Sequence, residues 1–152
     1  MSDDTARGQT VIGRRRRRCQ NSRRGASAVE FAVIAPVFLL LVFGMIEYGR
    51  MVMVQQVITN ASREGARRAV LTGATNAEVI NTVVTYCTQA SVPVNGSDVT
   101  VTPTNPADAG FGEPVEVAVN VPFGQVSWLP APMYLGGRDL VASTVMRRES
   151  DQ

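Results

Sequence analysis

A chain of 152 residues with fifteen Arg, no Lys and no His carries a formal charge of +2 that hides a strong asymmetry. Seven Arg fall between Arg14 and Arg24, whereas Ala26 to Gln152 holds seven Arg against eleven Asp and Glu, a net of −4, so the two parts face different surroundings. With no His and only Cys19 and Cys87, zinc sites, His-based acid–base catalysis and a disulfide framework are excluded, and Cys87 reads either as a small core residue or as a thiol for intermolecular pairing.

The first element is a basic leader, residues 1–25, expected to be disordered. A run such as Arg14–Arg18 also fits nucleic acid or a localisation signal, but beside a hydrophobic span it is better explained by topology and contact with anionic lipid.

The second element is a long helix, residues 26–70, with a membrane span over about 28–47. Phe31 to Ile46 is sixteen residues without a charge, and extending back to Ala26 gives twenty-one interrupted by Glu30 alone, the length that crosses a hydrocarbon layer of about 30 Å. The positive-inside rule places the N-terminus in the cytoplasm and the rest of the chain across the membrane. A secretory signal is the rival, but no small-residue cleavage site follows Ile46 and the helical pattern continues. Pro36 within the span frees the carbonyl of Ala32, which predicts a kink or local unwinding.

Glu30 is out of place in this stretch, because an ionised side chain there costs on the order of 2 to 3 kcal/mol unless it finds a partner. It either reaches back to water or Arg24, or serves a contact made within the membrane. Its setting, R-R-G-A-S-A-V-E-F, ends a basic stretch at Gly25 and places a carboxylate five residues on, followed by Phe31. This resembles the processing site of type IV prepilins, and particularly of the tight-adherence (Flp-type) pseudopilins. The run from Gly25 to Leu71, with I-E-Y-G-R at Ile46–Arg50 and A-S-R-E-G-A-R at Ala61–Arg67, is similar to the TadE/TadG-like family of pilus-assembly proteins.

The resemblance implies several expectations. A prepilin peptidase cuts between Gly25 and Ala26, and Glu30 and Phe31 then serve assembly, with Glu30 neutralised by the new α-ammonium of a neighbouring subunit. It implies a minor pseudopilin or assembly protein of a tight-adherence pilus, in a bacterial inner membrane with its C-terminal domain periplasmic or extracellular. Its partners would be membrane lipid, the peptidase, other pilins or pseudopilins and the assembly platform, with no nucleic acid, small-molecule substrate or cofactor. An unprocessed, membrane-anchored envelope protein with a binding domain is the alternative. No nucleophile–base pair, carboxylate dyad or phosphate loop argues for an enzyme.

Past the membrane, Val54, Val57, Ile58, Ala61, Gly65 and Ala69 recur at spacings of three and four, so the helix continues as a stalk with one apolar stripe. From Ala26 it would be about 65 Å long. Pro36 and Gly65 are candidate packing positions, Gly65 because glycine in mid-helix costs about 1 kcal/mol and so suggests a close backbone approach. Glu64 with Arg68 forms an expected i,i+4 pair. Glu47, Tyr48 and Arg50 read as interfacial residues flanking the span, in preference to a specific subunit contact.

The third element, residues 71–152, is an exported α+β domain. Thr75-Asn76-Ala77-Glu78 has the form of a capping box and opens an amphipathic helix to about Ala90. Period-two alternation then predicts strands around Val99–Val101, Val115–Phe123 and Leu140–Met146, giving a small antiparallel sheet of about three strands, pilin-like in outline, with no order assignable. The segment holding Trp128, Leu129, Met133, Tyr134 and Leu135 is unusually apolar for a connection, either a lid over the sheet's core or an exposed patch that meets a partner.

Overall fold

A computed structural model of the chain describes residues 18–129 and 135–148, with side chains from Gly25 onward. Residues 1–17 of the basic leader, together with Pro130, Pro132, Met133 and Tyr134 of the apolar connection, lie outside the described residues, as does the side chain of Cys19. The chain divides into two structural units, Met1–Leu41 and Val42–Gln152.

Helix α1, Arg18–Ala69, contributes to both units. Its first turns occupy Arg18–Gly25, part of the leader expected to be disordered; that expectation does not hold there. Among the described residues of the first unit, Val29, Phe31, Val33, Val37 and Phe38 of α1 are all exposed, and Phe31 retains 71 % of its accessible surface. The helix is long and apolar enough to cross a membrane, and none of its most apolar window is buried. Pro36 lies inside the helix, which the backbone carries through without a break.

The second unit is an α+β domain of two layers. Helix α1 ends at Ala69, and a short turn with Gly73 at φ +75° leads to α2, Asn76–Gln89. The turn at Gly73 suits glycine, which enters the left-handed region without a steric penalty. The capping box at the start of α2 is formed as its sequence implies: Thr75 Oγ1 accepts from the Glu78 amide at 3.3 Å, and the Glu78 side chain accepts from the Thr75 amide at 3.3 Å.

Three strands follow, β1 (Val99–Thr102), β2 (Pro114–Pro122) and β3 (Asp139–Arg147), with a single-turn helix α3 (Phe123–Val126) after β2. They form an antiparallel meander in the order β1-β2-β3. The register aligns Val99 with Val119 and Val101 with Val117, then Val119 with Ala142 and Val121 with Leu140, so the inward rows are continuous from strand to strand. Alternation puts these residues on one face, which α1 and α2 cover. Phe123, assigned by its alternation to the end of a strand, instead opens α3 and is still fully buried.

Small residues set the spacing between the layers. Ala61, Ser62, Gly65, Ala66 and Ala69 form the buried face of α1 in its last turns. A Cβ built on Gly65 would come within 2.5 Å of Val83 Cγ2 on α2 and 3.2 Å of Val117 Cγ1 on β2. Ser62, the one hydroxyl on this face, shares a 2.8 Å hydrogen bond with Thr144 of β3 and also donates to the Thr59 carbonyl, so its burial leaves nothing unsatisfied.

The expected Glu64–Arg68 pair is not formed. Glu64 pairs instead with Arg67 at 2.6 Å, and Arg68 reaches across the turn to Glu78 at 3.0 Å. The cause is the turn between the helices, which brings the first turn of α2 beside the last turn of α1 and gives Arg68 a second acidic neighbour. Cys87 is a fully buried thiol in the core, with no exposed surface for pairing between chains.

Candidate functional site

The apolar stripe of α1, followed backwards from Ile58 and Val54 in steps of four, three or four residues, passes through Arg50 and Glu47. Both are buried, Glu47 at 1 % and Arg50 at 3 % of accessible surface. This corrects their reading as interfacial charges, since each holds a distant part of the domain. Tyr48, between them, points outward and is exposed.

Arg50 is the hub. Its Nε donates to the Val126 carbonyl at 2.8 Å, closing the end of α3, and its Nη2 donates to the Ser91 carbonyl at 3.3 Å, beyond the end of α2. Its guanidinium carbon lies 4.7 Å from the centre of the Trp128 ring, within range for a cation–π contact. A planar fork with several fixed donors suits this task better than an ammonium would. Burial lowers the guanidinium pKa from its ordinary value, the expected direction when a cation is taken from water.

Glu47, one turn earlier, accepts from the Leu135 amide at 2.7 Å through Oε1. Arg50 thus holds the start of the connection between α3 and β3, and Glu47 holds its far end. Leu135 packs against the core while Trp128 stays 66 % exposed, so the described part of this connection is both lid and surface. Ser127 Oγ accepts from the Leu129 amide at 3.1 Å, and Phe123 and Val126 are buried beneath.

Of the residues singled out by sequence, Gly25, Ala26, Glu30, Phe31 and Pro36 lie along α1 in the first unit, all exposed. Gly65 belongs to the second unit, against Val83 and Val117. Sequence reasoning missed the clasp made by Glu47 and Arg50, and the signal was their place on the extended stripe.

The two motifs of α1 now have a structural content. I-E-Y-G-R supplies the buried Glu47 and Arg50, and A-S-R-E-G-A-R supplies the small buried face Ala61, Ser62, Gly65 and Ala66 with Arg63 and Arg67 facing out. The family model described as TadE-like protein matches residues 25–67. This segment of the chain is TadE-like. The TadE-like segment begins at Gly25 and ends just before the turn into α2, so it contains the exposed apolar helix, the clasp residues and the small-residue face, but neither α2 nor the sheet. No curated protein and no solved structure matches the chain.

Proposed function

We propose that the chain is a minor pseudopilin, or a closely allied assembly protein, of a tight-adherence pilus. It acts without catalysis, anchored by α1 with its arginine-rich end in the cytoplasm and its α+β domain across the membrane. A prepilin peptidase cuts between Gly25 and Ala26, and the α-ammonium so created on one subunit neutralises Glu30 of a neighbour. In lipid such a pair is strong, and it selects register because either charge alone is expensive there. The observation that carries the reading is the TadE-like match, which starts at Gly25 and takes in a helix whose most apolar window is exposed among the described residues.

Glu30→Ala tests it. The account expects normal membrane insertion with loss of pilus formation; full piliation in that variant would count against it. A second reading, a permanently anchored and unprocessed envelope protein with a binding domain, draws support from α1 running unbroken through Gly25 and Ala26, since a peptidase must unwind a helical substrate to reach the bond. It expects no effect of Glu30→Ala on piliation.

A further inference from the structure

Asn95 is the only asparagine in the chain followed by glycine. In such a pair the backbone nitrogen reaches the preceding side-chain amide most readily, because glycine has no Cβ to obstruct the approach or restrict its torsions. The pair lies on the surface, with Asn95, Gly96 and Ser97 all exposed, in the link between α2 and β1. On either side the chain is fixed in the core by Val94 and Val99, each 6 % exposed. The link can therefore open locally, without the helices and sheet coming apart.

In the native turn two hydrogen bonds hold the pair closed. The Asn95 amide donates to Asp98 Oδ2 at 2.8 Å, and the Asp98 amide donates to the Asn95 carbonyl at 3.0 Å, across a single turn of 3-10 helix, Gly96–Asp98. Asn95 is thereby kept extended, with ψ 162°. Attack on its side chain needs the Gly96 nitrogen eclipsed with the Asn95 Cβ across the Cα–C bond, and at this ψ the two are staggered. Gly96 is also closely packed, since a Cβ built on it would lie 3.3 Å from Ile80 Cγ2 of α2. The pair is open to water but held out of its reactive geometry.

We propose that Asn95 is a self-modifying site, a centre of spontaneous deamidation gated by its turn with Asp98. When the turn opens, the Gly96 nitrogen attacks Asn95 Cγ and gives up its proton, the new C–N bond closes a five-membered succinimide, and Nδ2 leaves as ammonia. Water then adds to either imide carbonyl and opens the ring to an aspartyl or an isoaspartyl residue, so that overall water is consumed and ammonia released. The product sets a new carboxylate in the same turn as that of Asp98. The isoaspartyl form also lengthens the main chain by one carbon shortly before Val99, which pairs with Val119 at the entry to β1. Both changes oppose reclosure of the turn, so the reaction records the age of the domain and loosens the edge of its sheet.

Peptide mapping by mass spectrometry, with fragmentation that separates aspartyl from isoaspartyl products, provides the test. The full chain in detergent micelles is incubated at neutral pH and physiological temperature, both folded and in urea. Asn105, followed by Pro106, is the internal control, since proline has no N–H to give up. The expected result is conversion fastest at Asn95, and at least about tenfold slower there in the folded protein than in urea. Asp98→Ala should speed the folded reaction at least about fivefold, whereas Asp98→Asn, which keeps an acceptor oxygen, should stay closer to the parent. Gly96→Ala should suppress conversion in urea as well. Equal rates in the folded protein and in urea would overturn the gating, and this comparison needs no variant to fold. A folded rate unchanged by Asp98→Ala would also overturn it, and conversion at any other asparagine as fast as at Asn95 would overturn the site itself.

Discussion

Arg50 and Val126 are 76 residues apart in sequence and 2.8 Å apart in the fold, joined by a guanidinium Nε–H and a backbone carbonyl in a buried setting. Substituting Arg50 by Leu keeps much of the bulk but strands that carbonyl and releases both Ser91 and Trp128. A hydrogen bond to a charged group contributes about 1.5 to 3 kcal/mol, and an orphaned buried acceptor costs a similar amount, so a loss of about 2 to 4 kcal/mol is expected. Hydrogen exchange is the measurement. The amides of Phe123, Ser127 and Arg138, which are tied to the connection, should exchange at least about tenfold faster, while those of α2 change little. Arg50→Lys should recover about half of the loss, because an ammonium cannot reproduce the fork.

Much of the fold was visible in the sequence because its elements carry strong local signals. The apolar run from Phe31 to Ile46, the stripe from Val54 to Ala69, the Thr75–Glu78 box and the alternating valines of β2 each specify their structure over a short range. The clasp was not visible for the opposite reason. Nothing near Arg50 or Glu47 announces that their partners are Val126, Ser91 and Leu135, all at least 41 residues away, and beside an apolar run a charge is most simply read as interfacial. Helix α3 was missed because it is a single turn whose Phe123 and Val126 keep the apolar pattern of the strand before it. The Gly25–Glu30 site came into view through its resemblance to a processing signal, since physical pattern alone gave only a misplaced carboxylate.

Gly65→Ala tests the closeness of the two layers. The new methyl gains about 1 kcal/mol of helix propensity but would sit 2.5 Å from Val83 Cγ2, and valine is too stiff at χ1 to move aside at low cost. Overpacking of this kind costs about 1 to 3 kcal/mol, so the net effect should be destabilising, read as a lower urea midpoint for unfolding of the α+β domain in detergent micelles. Adding Val83→Ala should recover part of the loss, and a midpoint unchanged or raised by Gly65→Ala alone would contradict the packing described.

Burial pushes the Cys87 thiol up to about 11 from an ordinary value of 9.0. The neutral thiol is therefore the form that the fold accepts. Because the folded value is the higher one, the unfolded chain gives up its proton first as pH rises, and stability is full below about 9 and falls as pH rises towards 11. In a Cys19→Ser background, a maleimide at neutral pH should leave the native domain unlabelled and label it fully once unfolded in urea. Rapid labelling of the native protein would show that Cys87 is not sealed in the core.

The central claim concerns the other end of α1, where Gly25, Ala26 and Glu30 lie along an exposed apolar helix. Intact-mass spectrometry of the protein, purified from membranes of cells with a working prepilin peptidase, tests it most directly. The account predicts a mature chain that begins at Ala26 and lacks residues 1–25. A chain that retains its arginine-rich N-terminus under those conditions would contradict the pseudopilin assignment.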